Sequence, residues 1–268
     1  MRVCAIGDLT LDVVVRLAAP IAVGGDTDAE IRVSPGGQAA NVAAWAAVLG
    51  ASSRFVGKRG ADDAARLALS GLEERGVEVL GPAEGRNGII CSLVSPDGER
   101  SMASDRGAAA DLRADEVAAS WLSGCDHLYV SGYALLGEPA CGAAVRAAEL
   151  ARAEGATVSV DLSSWSAIRD LGATAFRDLV VGLGPDVVFA NEDEELIVGG
   201  PVPGPMWILK RGARGCSFDG DERSALSVER VVDSTGAGDA LAAGWIVGGP
   251  DLALEAAARC VATVGSMP

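Results

Sequence analysis

Four consecutive residues, Gly236-Ala237-Gly238-Asp239, combine an anion seat with an anion. They follow Val232-Asp233-Ser234-Thr235 and open the run Ala240-Leu241-Ala242-Ala243-Gly244-Trp245, which reads as a helix. A Gly-Ala-Gly turn at a helix start leaves backbone N–H groups uncovered and pointing one way. The helix dipole adds partial positive charge there, so the turn invites an anion. A carboxylate beside such a seat is unfavourable unless chemistry requires it. Phosphoryl transfer does: the seat holds the moving phosphoryl charge while Asp239 takes a proton from the attacking hydroxyl. The other reading of Asp239 is an ordinary first-turn acid.

Four further groups could do chemistry. In Pro35-Gly36-Gly37-Gln38-Ala39-Ala40-Asn41, two glycines end a strand, and Gln38 and Asn41 share a face of the helix that follows. Two amides could read sugar hydroxyls as donors and acceptors, or simply cap the helix. Asp12 follows the first strand at its carboxyl end, where open parallel sheets bind ligands; it is either a ligand-facing carboxylate or a loop acid. Asn191 and Glu194, in Asn191-Glu192-Asp193-Glu194-Glu195, also share a helix face. They could organise Mg²⁺ and its waters, or form a solvated, dipole-stabilised helix start. Lys210-Arg211-Gly212-Ala213-Arg214-Gly215 closes another strand, and its glycines would let backbone approach a ligand. The chain has no GxxxxGK[ST] loop, no protein-kinase motif set, no GxGxxG after the first strand and no GxSxG. The single histidine, His127, lies within a strand pattern and reads as core.

These groups must be positioned by a repeating frame. Arg2–Gly7 is a buried strand, 13–17 and 30–34 are strands, and the Ala-rich run to Leu49 is a helix stopped by Gly50. A strand at 53–56, the Gly57…Gly60…Asp62 loop and a helix over 63–76 follow. Strands 89–94 and 100–104 flank the turn Pro96-Asp97-Gly98 and interrupt the alternation as an inserted lid would. Beyond it come helix 114–122, strand 127–131, helix 140–153, strand 157–161, helix 174–181, strands 186–190 and 206–210, and final helices at Asp239 and over 252–263. Repeated β-α units predict an α/β fold, a mostly parallel sheet with helices on both faces. The expected organisation is a single domain over 1–268, with 13–34 and 87–106 supplying a small β-strand lid.

Composition narrows the class. The 268 residues are 49% hydrophobic and only 4% aromatic, enough for a large core of small side chains. The formal charge of −15, from 37 acids against 22 bases, argues against a nucleic-acid or anionic-membrane surface. No apolar run is long enough to span a bilayer. Six scattered cysteines without CxxC spacing, with one histidine, argue against a zinc site and suit a reducing compartment, so a cytoplasmic protein is expected.

Together these stretches resemble the ribokinase-like (PfkB) carbohydrate kinases over nearly the whole chain. The two signature regions of that family correspond to Gly36–Asn41 and Asp233–Asp239, and the intervening loop, hairpin and Asn191…Glu194 pair fall in the family's order. The resemblance implies a three-layer ribokinase-like fold and an ATP- and Mg²⁺-dependent kinase of a small sugar or sugar derivative. Asp239 would be the base and Gly236, Ala237 and Gly238 the anion hole. Asp12, Gly37, Gln38 and Asn41 would hold the sugar. Lys210, Gly212, Asn191 and Gly238 would lie along the nucleotide, and Glu194 with Asn191 would order Mg²⁺ through water. Asp233 and Thr235 stand where family members bind a monovalent cation such as K⁺. Arg106, just after the hairpin, would take the carboxylate of an acidic sugar such as 2-keto-3-deoxygluconate. Gln38 stands where many family members carry Lys, and Asp161-Leu162-Ser163 lacks their Asn. A nucleoside kinase and a catalytically degenerate ligand-binding protein are the competing expectations. Dimerisation through the lid is expected if its strands leave an apolar face open.

Overall fold

A computed structural model describes residues 1–97 and 99–268; Gly98 of the expected hairpin turn lies outside the described residues. In chain order the elements are β1 (Arg2–Ile6), β2 (Thr10–Leu17), β3 (Ala29–Gly36), α1 (Gln38–Val48), β4 (Ser52–Val56), α2 (Asp63–Glu73), β5 (Glu78–Leu80), β6 (Gly88–Val94) and β7 (Arg100–Asp105). They continue with β8 (His127–Ser131), α3 (Ala140–Ala153), β9 (Thr157–Asp161), α4 (Trp165–Leu171), α5 (Ala173–Leu183), β10 (Val187–Asn191) and α6 (Glu192–Ile197). The last are β11 (Met206–Lys210), β12 (Cys216–Phe218), β13 (Asp221–Arg223) and α7 (Ala237–Val261).

The main sheet runs β13-β12-β11-β10-β9-β8-β1-β4-β5. Its strands are parallel from β5 to β11, and β12 and β13 are antiparallel additions at one edge. Alternate strand residues feed two separate cores. Ile6, Val130, Val160 and Val188 pack with α3 and α5 on one face. Ala5, Tyr129, Phe189 and Ile208 pack with α1, α2 and α7 on the other. Small side chains let the helices approach closely: of α1, residues 39–46 are all buried, five of them alanines. The three-layer α/β expectation is met.

A second sheet of four strands, β3-β2-β6-β7, leaves the main sheet where β1 runs into β2. Its return is pinned by Asn87, fully buried, which accepts from the Gly60 amide at 3.1 Å and donates to the Leu9 carbonyl at 3.3 Å. Two local expectations change. The helix expected over 114–122 is instead a pair of 3₁₀ turns, Ala114–Glu116 and Ala119–Trp121. Val117 and Leu122 both reach the core, and residues five apart lie about 140° apart on a helix, so no single helical face could bury both. The two expected final helices form one element broken at Gly249 (φ 79) and Pro250. His127 is a core residue, bonded to Ser159 Oγ at 2.8 Å, and burial lowers its pKa to about 4. The six cysteines are unpaired. Among the described residues, no helix is long and apolar enough to cross a membrane.

Candidate active site

The carboxyl ends of β9, β10 and β11 present Asp161, Asn191 and Lys210 side by side, with Asn191 and Lys210 in register. The amino end of α7 meets this edge. A Cβ placed on Gly238 would sit 3.4 Å from Lys210 Nζ, so the ammonium lies directly against the Gly turn. Gly236 starts the helix in the left-handed region (φ 80), and a Cβ there would lie 2.6 Å from Ser266 Cα. Glycine is demanded twice over, by conformation and by close approach.

The turn offers fewer donors than expected. The Ala237 N–H bonds the Ser234 carbonyl at 3.3 Å, and that of Ala240 bonds Gly236. No partner among the described residues takes the N–H of Gly236, Gly238 or Asp239. The free amides at the helix start are therefore Gly238 and Asp239, preceded by Gly236, and Ala237 is already spent. The sequence motif alone could not distinguish these, because the choice depends on where the Ser234 carbonyl turns.

Asp239 projects from the first turn of α7 and accepts from Asn41 Nδ2 at 2.7 Å. Asn41 is in turn oriented by Ser266 Oγ, which donates to Asn41 Oδ1 at 3.0 Å. Burial raises the Asp239 pKa to about 7; the Asn41 bond opposes this and the negative charge of Asp161 adds to it. A carboxylate with that affinity for a proton suits general-base work at neutral pH.

Asp161, which sequence reasoning did not single out, is fully buried and takes Lys210 Nζ at 2.6 Å and the Ser163 amide at 3.0 Å. Burial alone would lower the Lys210 pKa, but Asp161 and Glu194 outweigh it and keep the ammonium charged. Glu194 is buried and closes a capping box: Asn191 N–H and Nδ2 donate to its two oxygens at 2.8 and 2.7 Å, and its own amide donates to Asn191 Oδ1 at 2.9 Å. Burial raises the Glu194 pKa to about 7 against the pull of Lys210. The pair is a buried helix cap rather than the solvated helix start of one expectation, and its carboxylate lies beside Lys210. Mg²⁺ typically uses one or two carboxylates and keeps several waters, so this donor set fits water-mediated contact rather than a protein cage. Among the described residues no group of three or more His, Cys, Asp or Glu could enclose a metal. Gly212 stands exposed two residues beyond Lys210, with open space where a Cβ would be.

The amides of α1 play different parts. Gly37 caps the helix at φ 100, where a Cβ would meet the Asp8 carbonyl at 2.3 Å. Gln38 Oε1 accepts from Ser131 Oγ at 2.5 Å and Ser163 Oγ at 2.6 Å, so its carbonyl is fixed by β8 and the β9 end. Asp12 receives Thr10 Oγ1 at 2.9 Å and packs against Gly36, and burial raises its pKa. It adds to the negative field at Asp239, which puts both acids in one neighbourhood. Asp233 Oδ1 accepts the Thr235 amide and hydroxyl at 2.9 and 2.7 Å, and Gly265 N–H approaches its other oxygen at 3.4 Å.

Arg106 departs from expectation. Its Nε and Nη2 grip the two oxygens of buried Asp8 at 2.7 and 2.6 Å. The charge is neutralised within the protein, so Arg106 braces the lid hinge rather than standing open to a substrate carboxylate. It also borders a cavity of about 620 Å³ with Lys58, Arg86, Asp105 and Asp111; Lys58 pairs there with Glu84, and Arg86 with Asp105. A cavity of about 420 Å³ contains Asp12 and lies between the lid sheet and Val231–Thr235, the approach to the Gly turn.

The sequence profile of the pfkB family carbohydrate kinases matches residues 1–267. The chain is 31% identical to the ATP-dependent ribose-1-phosphate kinase of Halopiger xanaduensis, over 97% of this chain and 90% of that protein. It is also 31% identical to fructokinase-1 of Oryza sativa subsp. japonica, covering 77% and 71% of the two chains. Among solved structures, adenosine kinase from Sinorhizobium meliloti superposes with a TM-score of 0.86 at 24% identity, covering 99% of this chain and 95% of that one, a likeness of fold. With the profile spanning the chain and the two signature regions meeting at one site, the protein belongs to the pfkB family of carbohydrate kinases.

Proposed function

We propose that Asp239 is the general base of an ATP-dependent phosphoryl transfer to a hydroxyl of a small sugar or sugar derivative. The observation that carries this is the pairing of Asp239, whose pKa is raised to about 7, with unpartnered amides and the Lys210 ammonium on one helix start. The sugar lies between Asp12, Asn41 and Gln38 on one side and the Gly turn on the other. Asp239 removes the proton of the attacking hydroxyl while the Gly238 and Asp239 amides face the charge developing on the transferred phosphoryl oxygens. Lys210, held charged by Asp161, adds a fixed cation next to them. The nucleotide extends along Asn191, Lys210 and Gly212. Mg²⁺ neutralises phosphate charge when bound with ATP, and Glu194 with Asn191 would hold its waters. A monovalent cation at Asp233 and Thr235 belongs to the same reading. The β2-β3-β6-β7 sheet acts as a lid that excludes water, within one catalytic unit over 1–268. The unpaired cysteines suit a cytoplasmic setting.

The outer face of the lid supports a homodimer. Val13, Val15, Cys91 and Leu93 share that face with Ile31 and Val33, which are 61% and 53% exposed. A second copy would cover this surface.

The test is a coupled ATP-consumption assay over sugars, sugar phosphates, sugar acids and nucleosides. Wild type turns over a sugar-type substrate, and Asp239→Asn loses about 10²–10⁴-fold in kcat. Turnover confined to nucleosides would select the nucleoside-kinase reading. Undiminished turnover in Asp239→Asn would remove Asp239 as the base.

A further inference from the structure

This inference rests on the kinase reading and concerns the end of the substrate remote from Asp239. Asp12, Val14 and Arg16 are alternate residues of β2, so all three face the 420 Å³ cavity beneath the lid. Asp12 belongs to the Asp239 neighbourhood. Arg16 lies four residues farther out, about 13 Å along the strand.

Arg16 lines this cavity and has no counter-ion among the described residues. Arg106 is tied to Asp8 and Lys210 to Asp161. Arg16 makes no hydrogen bond or ion pair among the described residues. An acid is available: Glu30 stands directly opposite in the β2–β3 register. Glu30 instead bonds Arg32, at 2.7 Å to its Nε and 2.6 Å to its Nη2. Arg16 is exposed, and its guanidinium lines the cavity with no ion pair among the described residues to offset its charge. A guanidinium presents a planar fork that matches the oxygens of phosphate or carboxylate.

We propose that Arg16 receives an anionic substituent of the sugar, a phosphate or a carboxylate, at the end opposite the hydroxyl that Asp239 deprotonates. Val14 and Val94 flank the guanidinium's approach, so closure of the lid lowers the dielectric around the ion pair and strengthens it. Specificity then comes from the lid strand, and the catalytic edge of the main sheet handles only the reacting end.

The experiment compares wild type, Arg16→Ala and Arg16→Lys with ATP and Mg²⁺ on matched sets: neutral sugars, their phosphomonoesters and the corresponding sugar acids. Wild type favours an anionic set. In Arg16→Ala the anionic-over-neutral ratio of kcat/KM falls on the order of 10- to 100-fold, mostly through KM, and Arg16→Lys restores part of it. The favoured anionic sugar, added without ATP, raises the melting temperature of wild type more than that of Arg16→Ala. Which set responds distinguishes phosphate from carboxylate. A wild type that turns over only neutral sugars overturns this inference and leaves the kinase reading standing. Equal losses on neutral and anionic sugars in Arg16→Ala overturn it too. No turnover on any member defeats the kinase reading, and this inference falls with it.

Discussion

Asp239 and Asp161 are acids at the same sheet edge, yet the protein treats them oppositely. Asp161 is given a cation, Lys210, and an amide donor. Asp239 receives one neutral donor, Asn41, and is otherwise left to its burial. Its pKa near 7 makes activity depend on pH: below that value the base is protonated and cannot accept a proton. We expect kcat/KM to fall about tenfold per unit as pH drops from 7 to 5, a slope that a pH-rate profile reads directly. A profile flat to pH 5 would contradict the assignment. Stability runs the other way. The folded-state pKa of Asp239 is raised from the ordinary 3.8 of an aspartate to about 7, so the native state favours the protonated form. That contribution is present below about 3.8 and is lost as pH climbs through 7. Asp239→Asn removes the buried charge and is expected to stabilise the protein by about 1–3 kcal/mol at pH 8, with a smaller gain at pH 5, in urea titrations. Asp161→Ala leaves Lys210 buried and unpaired, and should cost about 3–5 kcal/mol at pH 8. If both changes destabilised equally, the division into a functional and a structural acid would fail.

At the scale of elements, the start of α7 is where conformation and chemistry coincide. Gly236 has a left-handed backbone and touches Ser266, whereas Gly238 is helical and faces the flexible end of Lys210. Gly236→Ala should therefore lose about 2–4 kcal/mol of stability together with most turnover. Gly238→Ala should melt close to wild type, since its methyl would only touch Lys210 at 3.4 Å, and should lose turnover because that methyl intrudes on the seat proposed for the phosphoryl group. Thermal melts alongside steady-state kinetics separate the two, and equal melting points would refute the distinction. The contrast also marks what local sequence carries. Parallel strands ending in Asn191 and Lys210, and two glycine-led helix starts, are legible because apolar runs and Gly punctuation are local signals. Asp12, expected at the carboxyl end of the first strand, lies instead inside β2 of the lid sheet, because β1 stops at Ile6 and the chain turns at Gly7 before pairing again. The 3₁₀ turns at 114–121 are not, since their shape follows from burying Val117 and Leu122 together. Nor is the Asp161–Lys210 pair, which joins residues 49 positions apart. Arg106 misleads for the same reason: its position after the hairpin is local, but its partner Asp8 is 98 residues away.

At the scale of the whole molecule, the two sheets divide the work. The main sheet has helices on both faces and two closed cores. The lid sheet is packed by α2 against β2, β3 and β6, yet Ile31 and Val33 stay more than half exposed. Its inner face borders the 420 Å³ cavity, and the alternation of β2 that points Asp12, Val14 and Arg16 inward necessarily points Val13 and Val15 outward. Opposite them stand Val33 and Ile31, both more than half exposed. A net charge of −15 opposes random association, so an apolar sheet face on this surface calls for a specific, self-complementary partner. A twofold pairing of lids would bury both faces and also stiffen the strands that carry Asp12 and Arg16, which links assembly to substrate affinity. The expected result is that wild type sediments at twice the 27.0 kDa chain mass at micromolar concentration. Ile31→Glu with Val33→Lys should sediment as monomer, keep the far-UV spectrum and raise KM for the sugar more than it lowers kcat. A wild type that remains monomeric across that range would rule out the lid as a dimer interface. A monomeric variant with unchanged KM would keep the interface and reject its link to substrate affinity.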